Sequence, residues 1–237
     1  MDRTRDIKKE IKASINYALP IVVGYLPIAL AFGLLSKNSS ISIRDTSLLS
    51  FLVYAGASQF MAIDLIGAGV ASSSILLATF LLNLRHMMMS ASLAVELKDI
   101  PKKYIPLVAF GITDETFSVI SFNKEQISLW FVLILNSLAF ASWNIGTIIG
   151  YGVGEILPAT LQSSLNVGLY AMFASLLFPE VKKSIGILFI FIVSALVYGL
   201  LYYSKIFTGG WDIILGVIIS SIFGLFILKK SRGGSEN

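Results

Sequence analysis

The sequence predicts an all-α polytopic membrane protein of about eight membrane segments, and three observations carry that prediction. Hydrophobic residues make up 56% of the 237-residue chain and charged residues only 14%. A soluble domain carries roughly 25% charged residues, so polar side chains are too few here to cover a water-soluble globule. The apolar residues also fall into stretches near the length of about 20 residues that a spanning helix needs. Finally, the spacers between those stretches are short and polar.

The stretches are 16–36, 48–68, 70–95, 104–122, 128–152, 163–178, 184–204 and 210–228. The spacers include Lys37 to Thr46, Lys98 to Lys103, Asn123 to Gln126 and Pro179 to Lys183, none of which could fold as a soluble domain. The expected organisation is a cytoplasmic amphipathic N-terminus over 1–14, a single transmembrane domain over 15–230 and a disordered cytoplasmic tail over 231–237. Arg3, Arg5, Lys8, Lys9 and Lys12 are mixed with Asp2, Asp6 and Glu10, and the long run from Ile15 to Leu35 has no small-residue cleavage site after it. A surface-lying helix fits residues 3–13 better than a cleavable signal does.

Composition excludes several classes of chemistry. Without cysteine there are no disulfides, thiolate metal sites or iron–sulfur clusters. The single histidine, His86, excludes a multi-His metal site, so no metal or other cofactor is expected. The net charge of +4 comes from residues at the termini and in short loops, not from a basic stripe interleaved with aromatics, so no nucleic-acid partner is expected. Membrane orientation accounts for that distribution. Basic residues at the N-terminus, at Lys182 and Lys183, and at Lys229, Lys230 and Arg232 all argue for the inner side. Eight full crossings then leave Lys98, Lys102 and Lys103 outside.

A faint internal repeat offers another topology. Tyr54-Ala-Gly-Ala-Ser58 resembles Tyr170-Ala-Met-Phe-Ala-Ser175, with Gly33 before the first and Gly150 before the second. If 48–68 and 163–178 both enter and return instead of crossing, the loop at 98–103 moves inside and the chain becomes two inverted repeats, each with a re-entrant or broken helix. Inverted repeats with interrupted helices at the midplane are a common transporter plan. Six and eight crossings both stay open.

The polar groups inside the apolar stretches locate the candidate site. Pro20, Gly24 and Pro27 interrupt the first stretch, with Tyr25 between them. They read as a broken helix with its backbone turned to a cavity, or as an ordinary kink. Tyr54 to Phe60 is small and polar, suited to close helix packing, but the Gln59 amide needs partners and Gly56 admits backbone. Asp64 lies one turn beyond. The third stretch carries Asn83, Arg85 and His86, and an intramembrane charge is costly and by default functional. Arg85 needs a partner, and Asp114, Glu115 and Asp64 are the candidates. A pair that only fixes helix register is the alternative. His86 fits a hydrogen-bonded structural role more readily than a proton relay. Asn136, Ser142, Trp143 and Asn144 make part of the fifth stretch polar, through packing or substrate access.

At these residues the chain resembles the AzlC family of branched-chain amino acid exporters. The resemblance rests on the Pro/Gly-rich first stretch, Tyr54 to Phe60, Asn83-Leu84-Arg85 followed by Ser90-Ala91-Ser92-Leu93, and Thr113-Asp114-Glu115-Thr116-Phe117. It extends over roughly 13–228 and is densest in the first half. It implies a large subunit working in the cell inner membrane with a small AzlD-type membrane subunit. It further implies export of leucine, isoleucine, valine and by extension methionine or analogues, driven by protons. On the residues themselves, the substrate carboxylate is expected at Arg85 or at donors freed near Gly24 or Gly56, and the ammonium at Asp114 or Glu115. Tyr25, Gln59, Asn83 and Asn144 complete the expected substrate contacts, and Asp114 or Asp64 is the expected proton-coupling carboxylate. No catalytic residue is expected. A passive small-solute channel, an intramembrane enzyme and an assembly subunit are the rival classes.

Overall fold

A computed structural model of the chain describes residues 7–124, 127–154, 174, 178, 181–182, 185–204, 215–216, 218–220 and 222–224. Every regular element among them is helical. The order is α1 (Ile7–Asn38), α2 (Ile43–Leu48), a π-helical turn (Leu49–Val53), α3 (Gly56–Gly67) and α4 (Ser72–Leu93). A 3-10 turn (Lys102–Tyr104), α5 (Ile105–Phe110), α6 (Asp114–Phe122), α7 (Leu129–Val153) and α8 (Ile185–Ser204) follow. Of these, α1, α4, α7 and α8 are long and apolar enough to cross a membrane. The expected segments 163–178 and 210–228 fall largely or partly outside the described residues, as does the tail. The contacts divide the chain into two compact units, residues 1–60 with 82–168, and residues 61–81 with 169–237.

The first unit is built on α1 and α7. Ser14 donates to the Phe131 carbonyl at 2.8 Å, Tyr17 meets the Phe131 ring edge-on and Tyr25 meets Trp143. Further along, Ala29 faces Gly146, Leu30 faces Gly150, Gly33 faces Thr147 and Tyr151, and Lys37 lies over the Tyr151 ring. The numbers rise together, so the two helices run parallel along their length. Small residues at 29, 33, 146 and 150 let the backbones touch, the usual device of helix association in membranes.

Parallel packing corrects the expected inverted halves. Gly33 and Gly150 are partners across one seam, and the helix at 128–152 runs in the same sense as the first, whereas the inverted plan requires the opposite. The break expected at Pro20, Gly24 and Pro27 is also absent, because α1 is continuous from Ile7 to Asn38. Each proline removes a hydrogen bond, but seam contacts on both sides of the two prolines hold the helix through. Residues 7–13 belong to this same helix.

The breaks lie elsewhere. Ile41 accepts from the Tyr151 hydroxyl at the C-terminal end of α7, and Ser50 bonds Thr147. Phe51 and Tyr54 then meet Phe140, in the middle of α7. From there the chain climbs back, since Gly56 lies against Trp143 and Phe60 meets Phe32. Residues 43–60 therefore descend halfway along α7 and turn back toward the end they came from. The turn is made at Tyr54, which sits in the left-handed region at φ 44, ψ 47. That conformation costs a non-glycine residue about 1–2 kcal/mol. A π-turn leads into it, a feature often found at functional sites.

Residues 102–124 do the same from the opposite end. Glu96 and Lys124 form an ion pair, and Ser128, four residues on, caps α7 and donates to Glu10 of α1 at 2.6 Å. This end of the unit holds the N-terminal ends of α1 and α7. From it α5 rises until Phe110 meets Phe140, and Gly111 abuts Asn136. The chain breaks over Gly111-Ile112-Thr113, and α6 returns to Asn123 and Lys124. The expected crossing over 104–122 is therefore corrected to a hairpin, and Lys98, Lys102 and Lys103 lie at the same end as the start of α1.

In the second unit Met61, Leu65, Val70, Ile75, Ala78 and Leu81 pack around the α3–α4 turn. No residue of α8 is buried. Gly216 faces Tyr198 and Gly224 faces Ile190, so the described residues from 215–216 to 222–224 follow α8 in the antiparallel sense.

Candidate functional site

The tips of the two hairpins meet. The Tyr54 and Phe110 ring centroids lie 6.0 Å apart, and Phe140 closes the triangle at 5.0 Å and 5.7 Å. Around this aromatic contact the opened backbone must find partners, since lipid offers none. At the α5–α6 break, Asn136 Nδ2 donates to the Val108 carbonyl at 3.1 Å. Thr113 caps α6, its Oγ1 accepting from Thr116 N while Thr116 Oγ1 accepts from Thr113 N at 2.8 Å and donates to Gly111 O. At the other break, Gln59 Oε1 accepts from Ala55 N at 3.1 Å, and Nε2 donates to Ser50 Oγ.

The capped start of α6 carries two carboxylates. Asp114 Oδ2 pairs with Arg85 Nη1 of α4 at 3.0 Å, both side chains about a quarter exposed. Glu115 turns to α1, where Tyr25 Oη lies 2.5 Å from Glu115 Oε2 and 2.7 Å from Thr113 Oγ1. Tyr54 stands near Tyr25 and Glu115, yet its buried hydroxyl makes no hydrogen bond of ordinary geometry. Asn83 Oδ1, Arg85 Nε and Trp143 Nε1 are likewise buried without partners. Buried polar atoms are nearly always satisfied, so the orphans at Tyr54, Arg85 and Trp143 beside this charged cluster make it the candidate place for a polar ligand. Among the described residues no group of three metal-type side chains occurs.

The structure thus gathers Arg85, Asp114, Glu115, Tyr25 and Gly56 around one pair of broken helices, and Asn83 lies two residues before Arg85 on α4. It selects Asp114 among the three candidate partners of Arg85. It separates the others. Gly24 is exposed, with nothing within 4 Å of where a Cβ would stand. Asn144 is half-buried and donates to Phe140 O on its own helix. Gln59 is fully buried and spent on the backbone. Asp64 is exposed and belongs to the other compact unit. Thr113, Asn136 and the Trp143 indole have site roles that the sequence reading did not assign. The Thr-x-x-Thr spacing of a capping box was the available signal for the first.

A family model described as AzlC protein matches residues 20–157, a segment that contains every residue of this site. The chain belongs to the AzlC family. It is 37% identical over 171 residues to a protein of Archaeoglobus fulgidus named "Uncharacterized membrane protein", covering 70% of this chain and 74% of that one. It is 32% identical over 176 residues to "Inner membrane protein YgaZ" of Escherichia coli, covering 70% and 71%. Along its whole length it is 24% identical over 240 residues to "Branched-chain amino acid transport protein AzlC" of Bacillus subtilis, covering 92% of that protein. No solved structure matches. AzlC membership supports a role in membrane transport for this membrane-embedded chain.

Proposed function

We propose that this chain is a secondary active exporter of branched-chain amino acids, leucine, isoleucine and valine with methionine or analogues, coupled to protons and working with a small AzlD-type membrane subunit. The observation that carries the reading is the meeting of two broken helices, entering from opposite ends, at an Arg85–Asp114 ion pair with a second carboxylate beside it. A zwitterion needs one fixed cation and one fixed anion, and a pair that can exchange partners supplies both. Arg85, with its Nε–H free of a partner, takes the carboxylate, helped by the amides opened at Gly56. The α6 carboxylates take the ammonium, and the aromatic rings at the tips face the branched side chain. Lysines at the end shared by the start of α1 and the loop at 98–103 favour that end as cytoplasmic.

The aromatic contact at Tyr54, Phe110 and Phe140 favours an exporter that alternates over an open pore. Leucine efflux from proteoliposomes containing the chain and its small partner, under an imposed pH gradient, tests the proposal. Efflux should be accelerated by the gradient and should run uphill. Arg85→Ala and Asp114→Asn should each slow it by about tenfold or more, equivalent to about 1.4 kcal/mol. Undiminished efflux in both variants, or efflux only down the leucine gradient, sinks the proposal.

A further inference from the structure

We propose that Glu115 is a single exchange site at which a proton and the substrate ammonium displace one another. This deepens the transport reading above and rests on it for the identity of the substrate.

The charges near the hairpin tips do not balance. Arg85 is the one fixed cation of the cluster, and it is committed to Asp114 at 3.0 Å. Glu115, the next residue on the same helical turn, has no ion-pair partner among the described residues. Its contact is Tyr25, a neutral hydroxyl 2.5 Å away. A second carboxylate, half-buried beside a neutralised pair, has two ways to be compensated. It binds a proton, or it binds another cation. A zwitterionic amino acid brings such a cation as its ammonium group.

The hydrogen bonds around Tyr25 accommodate both states. Tyr25 Oη is the donor toward both Thr113 Oγ1 and Glu115 Oε2, its single proton can serve only one of them at a time, and an ionised Glu115 is the stronger acceptor. Tyr25 then donates its own proton to the Glu115 carboxylate. If Glu115 is protonated instead, its O–H donates to Tyr25 Oη and Tyr25 turns its proton toward Thr113 Oγ1. One chain of three groups thus serves either protonation state without moving a heavy atom.

The groups that face Glu115 are few. They are Tyr25 on α1, Tyr54 at the first break, Arg85 and His86 on α4, and Asp114 on α6 itself. The remaining neighbour, α7, carries no ionisable side chain before Tyr151. None of these besides Arg85 is a standing cation, and Arg85 is already taken. Asp64, exposed in the other compact unit, does not enter. In the exchange, the Glu115 carboxylate accepts a proton from water on one side as the ammonium leaves with its own three protons intact. It returns that proton to water on the other side as the next ammonium arrives. One proton moves against one amino acid.

Infrared difference spectroscopy of the purified, full-length chain in lipid reads the carboxyl directly. The wild type should show a protonated-carboxyl C=O band that disappears on raising pH. At fixed pH the band should also disappear on adding leucine or leucinol, which keeps the ammonium, but not 4-methylpentanoate, which keeps only the carboxylate. Glu115→Gln should lack the band, while Asp64→Asn and His86→Gln should keep it. Tyr25→Phe leaves the carboxyl in place, so its band should still titrate but at a shifted frequency. A wild-type band that persists in Glu115→Gln, that ignores leucinol, or that is unshifted in Tyr25→Phe overturns the proposal. The two readings fail separately. If proteoliposomes show no leucine efflux but leucinol still removes the band, the exporter reading falls and the exchange site stands. If efflux is proton-driven and Glu115→Gln keeps that dependence, the exchange site falls and the exporter reading stands.

Discussion

Substituting glycines along α1 separates seam packing from helix propensity. A Cβ added at Gly33 would stand against the Thr147 carbonyl oxygen and 2.6 Å from the Tyr151 amide nitrogen. Close carbon–oxygen contacts in proteins lie at about 3.3–3.6 Å, so α1 and α7 would have to part by roughly 1 Å. Both obstructing atoms are backbone, so no rotamer change relieves the clash. Overpacking of this kind costs about 1–3 kcal/mol. Against that stands a gain of about 1 kcal/mol from alanine over glycine in a helix interior. Gly24 lies in the same helix with nothing within 4 Å, so Gly24→Ala takes the gain alone. The propensity contribution cancels between the two variants, leaving Gly33→Ala less stable than Gly24→Ala by about 1–3 kcal/mol. Reversible unfolding in mixed micelles, followed by fluorescence of Trp143 and the other tryptophans, measures this difference. Equal stability of the two variants would mean that α1 and α7 do not touch at Gly33. The parallel seam that sets Tyr25 against Trp143 would then be wrong.

Arg85→Ala leaves the Asp114 carboxylate without its cation. Breaking a fully buried pair costs about 3–5 kcal/mol, and partial solvent access at 29% and 24% exposure lowers this to about 1–3 kcal/mol. In the same unfolding assay the Arg85→Ala/Asp114→Asn double variant should recover part of the loss, and no recovery would argue against the pairing. Gln59→Leu removes the partners of Ala55 N–H and Ser50, at about 1–3 kcal/mol of stability. Leucine affinity of the folded fraction should be unchanged, and a selective loss of affinity would place Gln59 on the substrate instead. The native chain has no cysteine, so single cysteines report topology without background. Asp99→Cys and Lys124→Cys should react with an impermeant maleimide from one face of sealed vesicles and Asn38→Cys from the other. Labelling of positions 99 and 124 from opposite faces would show that residues 105–122 cross, which the hairpin reading forbids.

How far the sequence revealed this architecture depended on whether a feature was set by local or distant chemistry. Membrane residence was legible because it is a property of composition. The need of Arg85 for a carboxylate was legible because an unpaired charge in lipid is costly wherever it sits, though the choice of Asp114 over Glu115 and Asp64 was not. Helix breaks were misplaced in an instructive way. Pro20 and Pro27 carry the strongest local signal for a break, yet the penalty of a proline is limited to about 3 kcal/mol, and contacts with α7 on either side outweigh it. The real breaks at Tyr54 and at Gly111 to Thr113 contain no proline. They are made by tertiary contacts: the Tyr54 ring held between Phe110 and Phe140, Gly111 admitting Asn136, and Asn136 and Gln59 satisfying backbone groups that a continuous helix would have satisfied itself. Local clues existed in the polar run Thr113-Asp114-Glu115-Thr116 inside an apolar stretch and in the small residues after Tyr54. In water such runs are unremarkable. In lipid a polar run that is neither a loop nor a helix face points to a place where backbone is opened, and the two openings here, entering from opposite ends, come together at the Tyr54, Phe110 and Phe140 rings. The pairing of the hairpins and the position of the candidate site are therefore linked, and a substrate that engaged Arg85 and Glu115 would act on α4 and on the second hairpin, whose tip touches the first at Tyr54 and Phe110.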